Sequence, residues 1–267
     1  MSRSPLKVVR GLLSEIGFSS LLFASLLLPS EALAQSPDRN EYGNPPPQVF
    51  ESEDRDRWQK PEWVVEQLAI VPGTTVADLG AGSGYFTRQF SRAVGPSGKV
   101  LALDVDPTML AHIAEDLNAL ELANVDTVLV PFDSPGLPDR SVDLLFLSNT
   151  LHHIENRTAY YPRMIDVLHE GGRVAVVDFY KKPLPLGPRS LSHKLARSDV
   201  IREFTWAGLH ITADLEDLPH QYFLIASPIP QFLNARLVSQ NLATGGHRSL
   251  ADLPQPELSN NFEPQAS

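Results

Sequence analysis

Apolar positions along the chain fall into two kinds of run. Residues 75–79, 99–105, 125–130, 142–147 and 173–179 are short, largely apolar blocks, the pattern of strands buried on both faces of a parallel sheet. Between them lie segments with helical signals. Residues 60–69 place Trp63, Val64 and Leu68 on one face and stop at Pro72-Gly73. Residues 84–94 form a second helix, and Asp106-Pro107 reads as an N-cap with proline at the first helical position, opening a third to about Leu120. A fourth is predicted from about Thr158 to His169, stopped by Gly171-Gly172, and a fifth from a Ser198 cap to Ala207-Gly208. Residues 210–215 and 221–226 read as a closing hairpin. Such alternation predicts an α/β domain, a mostly parallel sheet with helices on both faces and a terminal antiparallel hairpin.

The two ends break the pattern. Arg3, Lys7 and Arg10 precede an almost wholly apolar stretch over residues 16–28, followed by Pro29 and the small-residue site Ala32-Leu33-Ala34. That order predicts a signal peptide over residues 1–34, cleaved near Ala34, and so export to a periplasmic or secreted location; a leader that does not function would leave the protein cytoplasmic. The apolar core is short beside the roughly 20 residues of a membrane span, so no stable span is expected after cleavage. Residues 35–57, polar, proline-rich and then charged, read as a flexible linker. Residues 58–229 make the folded domain, and 230–267 a largely disordered tail with one marginal helix.

The first strand runs into Asp78-Leu79-Gly80-Ala81-Gly82-Ser83-Gly84-Tyr85, and the second reaches Asp104 twenty residues beyond the last glycine. A strand, a glycine turn, a helix and an acid at the tip of the next strand are the parts of a nucleotide-binding unit. Dinucleotide sites carry G-x-G-x-x-G, whereas here Tyr85 stands where the third glycine would fall. Asp78 would also repel a pyrophosphate, so the loop suits a ligand carrying an ammonium group. The pattern D-x-G-x-G-x-G resembles the first motif of class I S-adenosylmethionine-dependent methyltransferases, and the resemblance covers roughly residues 58–229.

That resemblance implies a Rossmann-like, seven-stranded, mostly parallel sheet and S-adenosylmethionine as cofactor. It implies that Gly80, Gly82 and Gly84 wrap the methionine end, that Asp78 orients the loop and the cofactor's amino group, and that Asp104 accepts from the ribose hydroxyls, with Val105 along the adenine. Relatives carry an acid at the third strand's tip against the adenine amino group; Pro131 holds the commonest position here, and Asp133 lies two residues later. After the fourth strand, Asn149-Thr150-Leu151-His152-His153 is similar to the L-H-H stretch of small-molecule methyltransferases like the quinone C-methylating ones. Methyl transfer from a sulfonium is an in-line displacement that needs mainly alignment, and a base only where the acceptor loses a proton. His152 or His153 is the candidate base, the plainer alternative being a helix cap and a packing residue. Asn149 is a candidate for cofactor or substrate contact, Asp178 for loop fixing or substrate contact, and Tyr180 for substrate contact. Residues 186–199 read as part of a lid, Phe204 and Trp206 as core, and Asp143 as structural.

Composition narrows the classes further. A net charge of −10 without a basic stripe argues against nucleic acid as partner. With no cysteine there is no disulfide framework, thiolate nucleophile or cysteine zinc site, and the histidines lack ligand spacing, so no metal is expected. The reading is methyl transfer from S-adenosylmethionine to a small-molecule acceptor. Its rival is an exported nucleoside-binding module that keeps the fold without turnover. An NAD-dependent oxidoreductase is disfavoured by Tyr85 and by the lack of a Tyr-x-x-x-Lys pair. Oligomeric state has no signature in the sequence.

Overall fold

The computed structural model describes residues 44–52 and 54–230, so the expected leader and most of the tail lie outside the described residues. Seven strands form one sheet: β1 (Thr75–Leu79), β2 (Lys99–Asp104), β3 (Val125–Leu129), β4 (Val142–Ser148), β5 (Leu168–Phe179), β6 (Leu209–Leu215) and β7 (Gln221–Pro228). Their order is β3-β2-β1-β4-β5-β7-β6. The first five strands are parallel, and β7 enters antiparallel between β5 and β6. The chain order reverses beside β1, so the carboxyl ends of β1 and β4 flank the crevice where ligands bind in open α/β sheets.

Strand residues alternate between two apolar layers because successive side chains point to opposite faces. Val76, Ala102, Phe146 and Phe223 meet α2 (Pro61–Leu68), α3 (Tyr85–Val94) and α4 (Pro107–Ala119) on one face. Ala77, Leu145, Val176 and Tyr222 meet α5 (Arg157–Asp166) and α6 (Arg197–Ala207) on the other. In α3, Phe86, Phe90 and Val94 recur at four-residue spacing and are all buried. Phe86 and Phe90 pack on Phe146 with ring centroids 4.8 and 4.9 Å away, so truncating Phe90 to alanine should cost about 3–5 kcal/mol. At the start of α4 the Asp106 carboxylate accepts from the Thr108 N–H at 2.9 Å, with Pro107 in the first helical position.

Three expectations need correction. The helix before β5 ends at Asp166, and Gly171-Gly172 does not cap it. Ser141 and Val142 both donate to the Val167 carbonyl, and buried Leu168 already pairs with Val142. Gly171, at φ +78°, instead turns an irregularity in the pairing, after which Arg173 lies opposite Leu144. Second, α6 begins at Arg197 with Ala196 as its cap residue, placing Ser198 inside the first turn; Phe204 is core as expected, but Trp206 is 73% exposed, its ring 5.5 Å from the Arg202 guanidinium. Third, the described part of the supposed linker is structured. Residues Pro47–Phe50 make a 3-10 turn and Arg55–Gln59 a short helix, α1, which runs onto the crevice.

Candidate active site

The glycine loop leaves β1 with three left-handed residues in alternation: Gly80 (φ +72°), Gly82 (+56°) and Gly84 (+80°). Side chains rarely adopt that backbone region, which is why glycine stands at each position. Gly80 and Ala81 both donate to the Leu103 carbonyl, at 2.8 and 3.0 Å, tying the loop to the end of β2. A Cβ on Gly80 would fall 2.3 Å from Thr150 Oγ1, so β4's exit packs directly on the loop. A Cβ on Gly82 would meet nothing within 4 Å. The loop therefore presents open space on the Gly82 side.

Asp104 borders that space and is nearly buried. One carboxylate oxygen accepts from the Gly82 N–H at 2.8 Å and the other from the Asp106 N–H at 3.0 Å, so the acid fixes the loop as well as facing its rim. Burial pushes its carboxyl above the ordinary range. Val105 follows, half-buried against the apolar layer. Asp78 lies beneath the loop, its carboxylate accepting from Thr87 Oγ1 at 2.7 Å and so linking β1 to α3. Desolvation raises its pKa to about 6, opposed by that hydrogen bond and the Arg55 charge and reinforced by Asp104. Asp133 is exposed beyond β3, and its charge bears on buried Tyr160 of α5.

On the other side of the crevice, a 3-10 turn, Leu151–His153, follows β4. His152 Nδ1 lies 2.9 and 3.0 Å from the two carboxylate oxygens of Asp178, near the end of β5. The side chains are 3% and 0% exposed, so this is a desolvated, bidentate pair. Asp178 also accepts from the Phe179 N–H at 2.8 Å, which holds the carboxylate in place. A carboxylate at Nδ1 fixes the imidazole so that Nε2 carries its free chemistry. His153 is exposed, its ring 4.2 Å from that of His152. The structure thus separates two histidines that the sequence left equivalent. Asn149, at φ +55°, accepts from Gln221 Nε2 at 2.6 Å, and the buried Gln221 Oε1 has no partner among the described residues. Asp143, expected to be structural, accepts from the Thr75 N–H and from His169.

Around the crevice, residues 180–196 are anchored rather than loose. Gly187 lies against the Phe179 ring, where a Cβ would come within 2.7 Å, and buried Lys194 donates to the Lys182 carbonyl at 3.0 Å. The segment before α2 also borders the crevice, a role the sequence reading missed. Glu51 grips the Arg88 guanidinium with both oxygens at 2.7 Å, Asp56 accepts from the Tyr85 hydroxyl, and the Arg55 guanidinium stacks 3.8 Å from the Tyr85 ring centroid. Gln59, fully buried, donates to Ser148 Oγ at 2.9 Å, and Trp58 packs on Phe179. The available signal was the run of side chains too large and too pairable for a linker: Arg55, Trp58 and Gln59.

A glycine cradle with one open side, an acid at its rim and buried acids beneath fits a ligand with a hydroxyl-rich sugar and an ammonium group. Among the described residues no group of three or more His, Cys, Asp or Glu side chains is placed to hold a metal ion, and no helix is long and apolar enough to cross a membrane.

The family model for the methyltransferase domain matches residues 76–172, the span from β1 through the first residues of β5. The matched span holds the glycine loop, Asp104 and the Leu151–His153 turn, so this part of the chain is similar to a methyltransferase domain. Among curated proteins it is similar to the ubiquinone/menaquinone biosynthesis C-methyltransferase UbiE of Pasteurella multocida, 33% identical over 125 residues that cover 46% of each chain. It is 36% identical over 125 residues to the enzyme of the same name from Salmonella arizonae, covering 46% of this chain and 49% of that one. The chain spans about half the length of the curated relatives it matches. Among solved structures, a S-adenosylmethionine-dependent methyltransferase from Aquifex aeolicus matches with a TM-score of 0.64 and 26% identity, over 67% of this chain and 95% of that one. The [4+2]-cyclase SpnF shares the fold at 16% identity and a TM-score of 0.55, over 64% of this chain and 80% of that one. Since one fold hosts different chemistries, the reaction must be argued from the site.

Proposed function

We propose that the protein transfers a methyl group from S-adenosylmethionine to a small-molecule acceptor, with His152 taking the acceptor's proton. The observation that carries this reading is the buried His152–Asp178 pair at the carboxyl ends of β4 and β5, in the crevice shared with the glycine cradle. S-adenosylmethionine supplies a methyl group activated on a positively charged sulfur. Gly80, Gly82 and Gly84 would give it backbone access, Asp104 and Val105 would hold its ribose and adenine, and Asp78 would set the loop for its amino acid end. Asp133, exposed, and Asn149, already bonded to Gln221, are secondary candidates for adenine and substrate contact. Asp178 holds Nδ1 so that Nε2 can accept the proton lost as the acceptor forms its new bond to carbon, and it balances the positive charge the imidazole gains. The acceptor class that fits is therefore one whose nucleophilic atom sheds a proton, such as an acidic hydroxyl or an enolisable carbon.

A nucleoside-binding module without turnover would need the cradle but not a desolvated histidine–carboxylate pair. Export is supported by the order of charged, apolar and small residues over positions 1–34. The test is formation of S-adenosylhomocysteine with a panel of phenolic and enolic acceptors, for the wild type, His152→Ala and Asp178→Asn. The expected result is turnover lowered by about 10²–10⁴ in His152→Ala with cofactor affinity intact. Wild-type rates in both variants would remove His152 as the base.

A further inference from the structure

We infer that Arg55, on the short helix ahead of the matched domain, holds the α-carboxylate of the cofactor's amino acid end. The inference rests on the methyltransferase reading above and adds to it a residue outside positions 76–172. An amino acid end brings an ammonium and a carboxylate into the same cradle, and each needs an opposite charge. Acids are plentiful there: Asp78 and Asp104 are buried at the loop, with Asp106 behind them. Cations are few. Arg88 is consumed by both oxygens of Glu51, by Asp116 and by the Ser83 carbonyl. Arg55 differs. Its Nε donates to Gln59 Oε1 at 2.6 Å and one terminal nitrogen to the Phe50 carbonyl at 2.7 Å, which orient the fork. The other terminal nitrogen has no hydrogen-bond partner among the described residues. The guanidinium lies 3.8 Å from the ring centroid of Tyr85, the first residue of α3 and the neighbour of Gly84, and its charge is felt by Asp78.

Desolvation lowers the Arg55 pKa to about 10, with Tyr85, Glu51 and Asp78 opposing it, so the guanidinium stays charged at neutral pH although it is largely buried. A carboxylate arriving at the open nitrogen would gain a charge-assisted bond in a site largely shielded from water. It would also add a contact between α1 and the loop to those that Tyr85 already makes.

The test uses two ligands and the full chain. S-adenosylhomocysteine carries the amino acid end; 5′-methylthioadenosine keeps the adenine, ribose and sulfur and lacks it. Calorimetric titration of Arg55→Met should show S-adenosylhomocysteine affinity reduced at least tenfold, about 1.4 kcal/mol, with 5′-methylthioadenosine within twofold of wild type. Arg55→Lys, which keeps the charge without the fork, should fall between the two. Equal loss of both ligands would make Arg55 a fastener of α1 only, and unchanged affinity for both would leave it without a ligand role; either result overturns the inference. If the wild type bound neither ligand, the methyltransferase reading itself would fail, and this inference with it.

Discussion

Replacing Gly82 or Gly80 with alanine adds the same methyl group to the same loop, yet the structure assigns the two changes different consequences. Gly82 sits at φ +56° and its added Cβ meets no atom within 4 Å. The cost to folding is then only that of a left-handed alanine, about 1–2 kcal/mol, partly offset by the ~0.4–1 kcal/mol that alanine removes from the unfolded chain's entropy. The net, near 1 kcal/mol, corresponds to a fall of about 2–4 °C in Tm for a domain of this size. The methyl would, however, occupy the space assigned to the cofactor, and S-adenosylhomocysteine affinity should drop at least tenfold. Gly80 bears the same backbone strain at φ +72°, but its Cβ would lie 2.3 Å from Thr150 Oγ1, 2.4 Å from Cγ2 and 2.9 Å from Cβ. Because Thr150 Cβ itself is too close, no rotamer relieves the overlap, and overpacking should add about 1–3 kcal/mol. Gly80→Ala should thus lose more stability than Gly82→Ala, and adding Thr150→Ala should recover part of the difference but not the strain. Thermal denaturation measures the first quantity and calorimetry the second. If Gly82→Ala kept wild-type affinity for S-adenosylhomocysteine, the open side of the loop would not be where the ligand lies.

Two further outcomes follow from the acids of the cradle. Asp78 has a folded pKa of about 6 against an ordinary value of 3.8, so the fold favours its protonated form. Its stabilising contribution is present below pH 3.8 and lost as pH rises through 6, to the extent of about 3 kcal/mol. Asp78→Asn should therefore be more stable than wild type at pH 7.5, with the advantage shrinking as pH falls from 6 toward 4; denaturant melts at pH 7.5 and 4.5 measure it, and a pH-independent difference would refute the assignment. Asp104→Ala leaves the Gly82 and Asp106 N–H groups without their acceptor, a loss of about 1–3 kcal/mol of stability, and removes the ribose acceptor. A folded variant with unchanged S-adenosylhomocysteine affinity would remove Asp104 from the ligand's contacts.

The parallel core of the fold and half of the crevice were legible from local pattern. Buried strands of uniform apolarity, the three alternating glycines, Asp104 at a strand tip and the Asp106-Pro107 start of α4 are all encoded within a few residues, and they appear where the sequence places them. What was not legible depends on partners distant along the chain. His152 and Asp178 are 26 residues apart and meet only because β4 and β5 are neighbours ending on the same edge. Their positions at strand ends were the available clue. The helix boundary at Asp166 was misread because a double glycine resembles a C-cap, while the decision lay with residues 140–142, which take up the Asp166 and Val167 carbonyls. The segment ahead of α2 resembled a linker in its proline and charge content, but its charges pair with Arg88 and Tyr85 instead of with water.

The cradle between Gly82 and Asp104 is the place the proposed function assigns to S-adenosylmethionine. The most direct test is calorimetric titration of the full chain with S-adenosylhomocysteine, with NAD as control. Binding of the first at about micromolar Kd, near −8 kcal/mol, and none of the second is the expected result. A chain that bound neither, or bound NAD in preference, would contradict the claim.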